Sequence, residues 1–517
     1  MQRKFKKTNI VPIVLLLNGL VYAGDAPSME WHKGYGTSYG SHVHEGMQTS
    51  DGGYIGIGQT WSQEDYPEML IIKIDSNGNK EWRTIVGISD KHDVGICIAE
   101  VSDGFICGGG LYDSGNQKPA LVKLDKNSGD IITGWPKYYS GTNNCCIRGI
   151  DILEDGSIVA TGYTDSQEGY GGFVFICDDG DGFIMKTDSN GNLEWNKSLS
   201  VPQGTKVRQI SGGFAVASCA WYYDGGDHMD AVLIKTDGNG LETDKYHYGD
   251  TNNEHCYDFD LTSDGGYILG GHTTSYGVAN WDYYLLKIDS DGNEEWHKTF
   301  GNPRGYDARY IHDEAYGVRQ TPDGGYVIAG GSGDEYGSYS SCTHPFGCSD
   351  EWKAYIVKTD NNGDPEWEGI YPEEKDIGNT ACEFIGLTSD GGYILFNDTD
   401  AFWDEVGSNA FGFMKIAGST KIKSDNTSIP SNMQLHQNYP NPFNPTTQIQ
   451  FDLNKSGFVT IDIFSILGVK VMTLLNENVE AGYHQITFDG SELSSGSYIY
   501  RIKIGDFMQM KKCLLVK

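Results

Sequence analysis

Residues 262–301 read TSDGGYILGGHTTSYGVANWDYYLLKIDSDGNEEWHKTFG. Asp264-Gly265-Gly266 forms a tight turn, and 267–271 is a short apolar strand. After a loop, 283–288 carries apolar side chains on both faces, as a buried strand does. Residues 289–293 spell DSDGN, a hairpin turn in which Asp and Asn tolerate the left-handed backbone and Gly adopts it freely. A third strand, 295–300, carries Trp296 near its start. No helical periodicity interrupts the stretch.

The unit recurs. Its first turn appears at Asp51, Asp103, Asp155, Asp264, Asp323 and Asp390, with Ser211-Gly212-Gly213 standing in for a seventh. The second strand carries a lysine in the same place each time: Lys73, Lys123, Lys186, Lys235, Lys287, Lys358 and Lys415. A turn aspartate follows at Asp75, Asp125, Asp188, Asp237, Asp289 and Asp360, and an aromatic opens the next strand at Trp82, Trp135, Trp195, Tyr246, Trp296 and Trp367. Another short strand, such as 94–101 or 314–321, precedes each Asp-Gly turn. Four strands per unit at roughly fifty-residue spacing predict an all-β chain folded as a seven-bladed β-propeller. The seventh unit stops after 411–416, whereas 30–36 (EWHKGYG) is a Trp strand with nothing before it. The N-terminal strand is therefore expected to complete the last blade and close the ring, removing two open sheet edges.

Residues 1–23 read as a secretory signal peptide: Arg3, Lys4, Lys6 and Lys7 precede the apolar 10–21, and 21–23 (VYA) suits cleavage. The apolar core is too short to span a bilayer, and no other stretch is long enough. The formal charge is −33, and losing the four positive charges of the signal leaves −37. Seven basic and seven acidic residues make 433–517 neutral, so the excess lies on the propeller and its linker. Such a surface rejects nucleic acid and anionic membrane.

Eleven cysteines in an exported chain permit disulfides, the odd count leaving one over. Cys342 and Cys348, bracketing a long loop, are the best candidate pair, and Cys97 and Cys107 flank one turn, where a hairpin would let them meet. Cys177, Cys219, Cys256, Cys382 and Cys513 lie in apolar strand patterns and read as buried thiols. No Cys/His cluster has zinc spacing, so no metal site and no cofactor is assigned. Calcium is left open by the acids of 178–181 (DDGD), although they lack the spacing and terminal Glu of an EF-hand loop and turn chemistry accounts for them better.

The short turns share one face of the blades, so the longer, more varied loops gather on the other, where function usually sits. The residues singled out there for ligand binding are Trp61, Asp65, Trp221, Tyr222, Asp227, His228, Trp281, Trp403 and Asp404. Flat rings beside carboxylates suit an extracellular glycan, the rings covering sugar faces and the acids accepting hydroxyl hydrogen bonds. A surface protein is the other ligand considered, and packing of loops onto blade tops explains the rings without any ligand. No catalytic pair can be chosen among so many loop acids, so a polysaccharide hydrolase or lyase stands as the alternative to a binding module.

The units resemble a family of secreted bacterial propeller repeats marked by DGGY followed by KxDxxGxxxW, over about residues 29–417. The resemblance implies the fold and little about activity. Sialidase spacing is not met: the turn here is Asp75-x-x-Gly78-x-x-x-Trp82, one residue longer on each side. After the polar linker 417–432, the segment 433–517 holds NYPNPFNP (438–445), six short alternating strands and a terminal KKCLLVK, which predict a small β-sandwich. Asn438, Pro440, Pro442, Phe443, Pro445, Gly468, Gly496 and Tyr498 carry a close resemblance to the type A C-terminal sorting domain of type IX secretion, found in Bacteroidetes and relatives. That resemblance implies passage through the periplasm, contact with the type IX machinery, and display on or release from the outer-membrane surface.

Overall fold

The computed structural model describes residues 26–516 apart from 64–65, 167–176, 178, 222–226, 306–307, 334–350, 374–377, 403, 405–408, 419–432, 439–440, 442, 467, 480, 492 and 506. The expected signal peptide, the Cys342 and Cys348 pair, Asp178 and most of the linker lie outside the described residues.

The described chain is all-β, with one 3-10 turn at Ala308–Tyr310. Residues 29–416 make seven four-stranded antiparallel sheets, spanning 41–86, 94–138, 144–198, 206–248, 254–300, 312–371 and 380–416. In the first six the strands lie side by side in chain order. The seventh takes its outer strand from the N-terminal side: Met29–Tyr35 pairs antiparallel with Ala410–Ile416, Tyr35 opposite Phe411. The arrangement is consistent with propeller blades. The first strand of each sheet packs beside the first strand of the next, and Thr380–Leu387 of the seventh packs beside Ser41–Gln48 of the first.

The repeated residues are the contacts between sheets. The turn glycines Gly78, Gly129, Gly191, Gly240, Gly292 and Gly363 have φ between +72° and +93°, and the aromatic of the preceding sheet covers each. Trp31, Trp82, Trp135, Trp195, Tyr246 and Trp296 are so close that an added Cβ would lie within 3.3 Å of the ring. Aromatics at this strand position also reach the residue after the next Asp-Gly turn: Trp82 to Phe105 at 6.0 Å, Trp296 to Tyr326 at 5.6 Å and Trp367 to Tyr393 at 5.7 Å between centroids. Glycine is thus demanded twice, by backbone hand and by lack of space.

The lysines bind their own repeat together. Lys287, 2% exposed, places Nζ 2.8 Å from Glu295 and 3.0 Å from Asp264, and donates to the Ile288 carbonyl at 3.1 Å. Lys73 and Lys358 do the same with Glu81 and Asp51, and with Glu366 and Asp323. Lys415 pairs with Asp390 at 2.9 Å and finds Glu30 of the N-terminal strand at 3.8 Å, in the place Glu295 takes for Lys287. In the DSDGN turn, Asp289 accepts the Asp291 and Asn293 backbone N–H groups at 2.9 and 2.8 Å and the Asn293 side-chain amide at 2.9 Å, which accounts for its oxygens through hairpin geometry.

Two local readings are corrected. The outer strand of the second sheet is only Lys137–Tyr138, with Trp135 ahead of it, because Pro136 has no N–H to give the ladder. Cys97 and Cys107 do not meet: Cys97 lies opposite Gly108 and Ile98 opposite Cys107, one residue out of step, and both are buried free thiols. Cys177, Cys219, Cys256, Cys382 and Cys513 are buried free thiols as well.

Beyond the linker, Gln434–Leu435, Thr446–Leu453 and Gly482–Asp489 form one sheet, and Lys470–Val479, Gly457–Ser465, Gly496–Ile504 and Phe507–Leu515 form a second. Phe443, Ile449 and Phe451 share a core with Val459, Ile461, Tyr500 and Ile502. Asn438 is buried, its backbone N–H donating to the Tyr500 hydroxyl at 2.7 Å and its side-chain amide to Thr447 at 3.0 Å. Gly468 turns with φ +79°, Gly496 opens a strand, Tyr498 donates to the Ser494 carbonyl at 2.7 Å, and the Pro445 carbonyl accepts from Gly490 at 2.8 Å. Pro440 and Pro442 lie outside the described residues.

Candidate functional site

The first strand of six sheets carries a β-bulge at one equivalent point. Pairing with the second strand slips between Val43 and Glu45, Gly95 and Cys97, Ile147 and Gly149, Cys256 and Asp258, Ala315 and Gly317, and Cys382 and Phe384. A bulge leaves one residue out of the ladder and re-aims it. Those residues are His44, Ile96, Arg148, Tyr257, Tyr316 and Glu383, and all six line one small cavity. The fourth sheet pairs without a slip and supplies Thr205 and Lys206 instead. Residues associated with all seven sheets therefore converge on one place. Lys206 also forms an ion pair with Glu45 of the first sheet, and Arg148 donates to Gln203 at 2.8 Å.

A larger cavity of about 620 Å³ shares Tyr257, Tyr316 and Glu383 with the small one. It opens where first strands begin and second strands end, the side opposite the Asp-Gly turns. Trp281, Trp352, Tyr257, Tyr316, His255 and His272 supply rings, Glu314, Glu383, Asp398 and Asp400 supply carboxyl groups, and Asn379 and Asn409 supply amides. No lysine or arginine is among the described lining residues.

Five of these rings, all but Trp352, form a connected wall. Trp281 lies 4.6 Å from His255 and 4.8 Å from His272 between centroids, and Tyr257 lies 4.8 Å from Tyr316. His255 Nδ1 and His272 Nε2 are 3.0 Å apart. Burial pushes both imidazoles down, His255 to about 3 and His272 to about 4, so both are neutral at physiological pH. Burial works to raise the Glu314 carboxyl, but the neighbouring His312 and the Tyr316 hydroxyl, donating at 2.6 Å, outweigh it and hold the group below the usual range. Asp400 is held by Asn379, whose backbone N–H reaches it at 2.5 Å.

Of the residues singled out from sequence, Trp281 stands in this cavity wall. Trp61 ends the strand Tyr54–Trp61 of the first sheet, and Trp221 packs onto the core shared by the fourth and fifth sheets. The fully exposed Asp227 accepts a hydrogen bond from His228 at 3.0 Å. Asp404 bonds to Lys33 and to the Gly34 backbone N–H, both at 3.1 Å, and so clamps the N-terminal strand. Asp65, Tyr222 and Trp403 lie outside the described residues. Sequence reasoning looked to loops and missed the inner strands. One signal was available: the bulged residue stands seven places before the turn aspartate each time (His44 before Asp51, Ile96 before Asp103, Arg148 before Asp155, Tyr257 before Asp264, Tyr316 before Asp323, Glu383 before Asp390).

Among known proteins, residues 437–517 match the family described as the secretion system C-terminal sorting domain. No curated protein matches the chain. Solved structures that the chain matches include PorZ, a bacterial surface component of the type IX secretion system of Porphyromonas gingivalis (11% identity, TM-score 0.43, covering 93% of this chain and 60% of PorZ). A fungal alcohol oxidase of the AA5 family in complex with copper gives 11% identity and TM-score 0.46, covering 95% of this chain and 100% of the oxidase. A puromycin hydrolase gives 10% and 0.44, covering 80% and 59%. The chain thus spans 60% of the length of PorZ. Among the described residues no helix is long and apolar enough to cross a membrane. The sorting domain marks the chain for type IX secretion, to the cell surface or beyond it.

Proposed function

We propose that the seven sheets form a single seven-bladed β-propeller of DGGY/KxDxxGxxxW repeats, closed by Met29–Tyr35, and that this exported propeller binds a glycan in the 620 Å³ cavity. The layout is a signal peptide at 1–23, the propeller at 24–416, a linker at 417–432 and the sorting domain at 433–517. One observation carries the binding reading: six rings and four carboxyl groups line one cavity with no lysine or arginine among its described residues. The volume falls within the range of about 300–1,000 Å³ common for small-molecule sites. Rings cover the apolar faces of sugars while carboxylates and amides accept and donate to hydroxyls, and a cavity rich in acids disfavours anionic ligands.

The test is calorimetry of the full chain against soluble oligosaccharides, with retention on immobilised polysaccharides as the screen. Trp281→Ala and Trp352→Ala are each expected to weaken binding about tenfold or more, roughly 1.4 kcal/mol, while Trp221→Ala leaves affinity unchanged. Absence of binding to every polysaccharide would refute the glycan and leave a surface protein as the ligand to pursue. The alternative, a hydrolase or lyase, is favoured by four carboxyl groups meeting in one cavity, and released oligosaccharide would establish it.

A further inference from the structure

Three side chains of this region bring ligand-type atoms together. His42 lies near the start of the first strand of the first sheet, Glu383 is the bulged residue of the seventh, and Asp398 lies near the end of the seventh sheet's second strand. One ligand atom from each lies within 4.8 Å of the other two. Asp398 is already oriented, since Val43 donates its backbone N–H to Oδ1 at 2.9 Å while Oδ2 is hydrogen-bonded to His42 Nδ1, a contact that a bound ion would replace. Glu383 supplies an independent pointer. It is 92% buried (8% exposed), it lines both cavities, and no hydrogen bond or ion pair from a described residue reaches its carboxyl group. A carboxylate held in a mostly buried pocket, its oxygens facing the cavity with no donor from a described residue beside them, is favoured by a bound cation.

We propose that His42, Glu383 and Asp398 bind one divalent transition-metal ion at the join between the first and seventh sheets. Two carboxylates balance a divalent charge, and the imidazole nitrogen favours zinc, cobalt, manganese or ferrous iron over calcium and magnesium, which prefer all-oxygen shells. Three protein ligands leave at least one coordination position. Because Glu383 and Asp398 both line the 620 Å³ cavity, that position faces it, where a hydroxyl or carboxylate of a bound molecule completes the shell. The metal site stands on this geometry whether or not the cavity takes a glycan.

The experiment uses the full chain, stripped with a chelator and desalted, then titrated with Co²⁺ and with Zn²⁺ in millimolar calcium and magnesium to saturate the acidic surface. Calorimetry gives stoichiometry and the visible spectrum of cobalt reports its coordination. One equivalent is expected to bind, with a cobalt spectrum indicating nitrogen and oxygen donors. Outer-sphere partners alone are worth about 10- to 100-fold in affinity, so Glu383→Gln and His42→Gln are each expected to lose about 100-fold or more, while Asp227→Asn loses none. Melting of each variant in chelator, compared with the stripped wild type, separates loss of a ligand from loss of the fold. A variant that misfolds is replaced by Asp398→Asn. Absence of saturable binding overturns the proposal, as does binding that survives Glu383→Gln unchanged or is abolished only by His255→Ala. Glycan binding that persists in chelator leaves the ion site intact, and loss of glycan binding with cobalt affinity retained counts against the glycan alone.

Discussion

Asp313→Asn is expected to change how the stability of the sheets depends on pH. Asp282 and Asp313 meet over Gly301, where an added Cβ would lie 2.5 Å from Asp282 Oδ1 and 2.8 Å from Asp313 Oδ2. Burial pushes Asp282 up to about 6. Burial, with the Asp282 charge adding to it, pushes Asp313 up to about 7, against the Asn302 backbone N–H at 2.7 Å and the Arg304 guanidinium, which favour ionisation. The folded chain thus holds a proton that the unfolded chain releases near 3.8. Its contribution is full below about 4 and declines as pH rises toward 7. At about 1.4 kcal/mol per decade of proton affinity the ceiling is near 4 kcal/mol, and sharing of the proton with Asp282 brings it to about 2–4. For several hundred residues that is about 2–5 °C in melting temperature. Relief of the net charge of −33 also favours acid, so the wild-type shift alone decides nothing. The decisive quantity is the difference between Asp313→Asn and wild type at pH 8 minus that at pH 5, by scanning calorimetry. The variant is expected to gain clearly more at pH 8 than at pH 5, and to be nearly neutral only below about pH 4. An equal difference at both pH values would refute the shared-proton account.

Other perturbations test the contacts between and within repeats. Lys287→Met is expected to cost about 1–3 kcal/mol in urea unfolding, less than a fully buried pair because Asp264 and Glu295 are 56% and 45% exposed and rehydrate. Gly363→Ala and Gly265→Ala both force alanine to positive φ, +78° and +90°, at about 1–2 kcal/mol. Only Gly363→Ala adds a clash, its Cβ falling 2.7 Å from Trp296 whereas nothing lies within 4 Å at Gly265, so it should unfold at clearly lower urea. Turn aspartates such as Asp289, which hydrogen bonds from Asn293 hold below the usual carboxylate range, contribute stability that is lost as pH falls through that lowered value. Melting temperature should therefore peak in mild acid and drop again below about pH 4. Asn438→Ala removes the amide donor to Thr447 and should lower the unfolding free energy of the 433–517 segment by about 1–2 kcal/mol, measured by denaturant unfolding followed by circular dichroism.

Much of the fold was legible because its rules are local and repeated. Asp264-Gly265-Gly266 and DSDGN are turns on the chemistry of four or five residues, and their recurrence marks strand ends without long-range information. The spacing from Gly292 to Trp296 within one unit also records a contact between units, since Trp296 covers Gly363 of the following sheet. The outer strand missing from the seventh unit was inferred by counting, and the pairing of Met29–Tyr35 with Ala410–Ile416 supplies it. Local rules failed where one residue broke them: Pro136 shortens an outer strand, and a one-residue offset separates Cys97 from Cys107.

The cavity was hidden because a bulge alters the alternation on which sequence patterning depends. In a regular strand, side chains at alternate positions share a face, and a one-residue slip reverses every later assignment. At Tyr316 and Glu383 the slip takes a side chain out of the ladder and turns it toward the cavities, leaving Val318 and Ile385 to rejoin the packed core. The chemistry at the six bulged positions gives no warning, because histidine, isoleucine, arginine, two tyrosines and glutamate share no property. What they share is distance from the turn. Repetition therefore fixes where six of the sheets send one side chain toward the cavities but not which side chain each sends. The backbone scaffold can remain constant while Glu383 beside His42, and Tyr316 beside Tyr257, give this copy its particular chemistry.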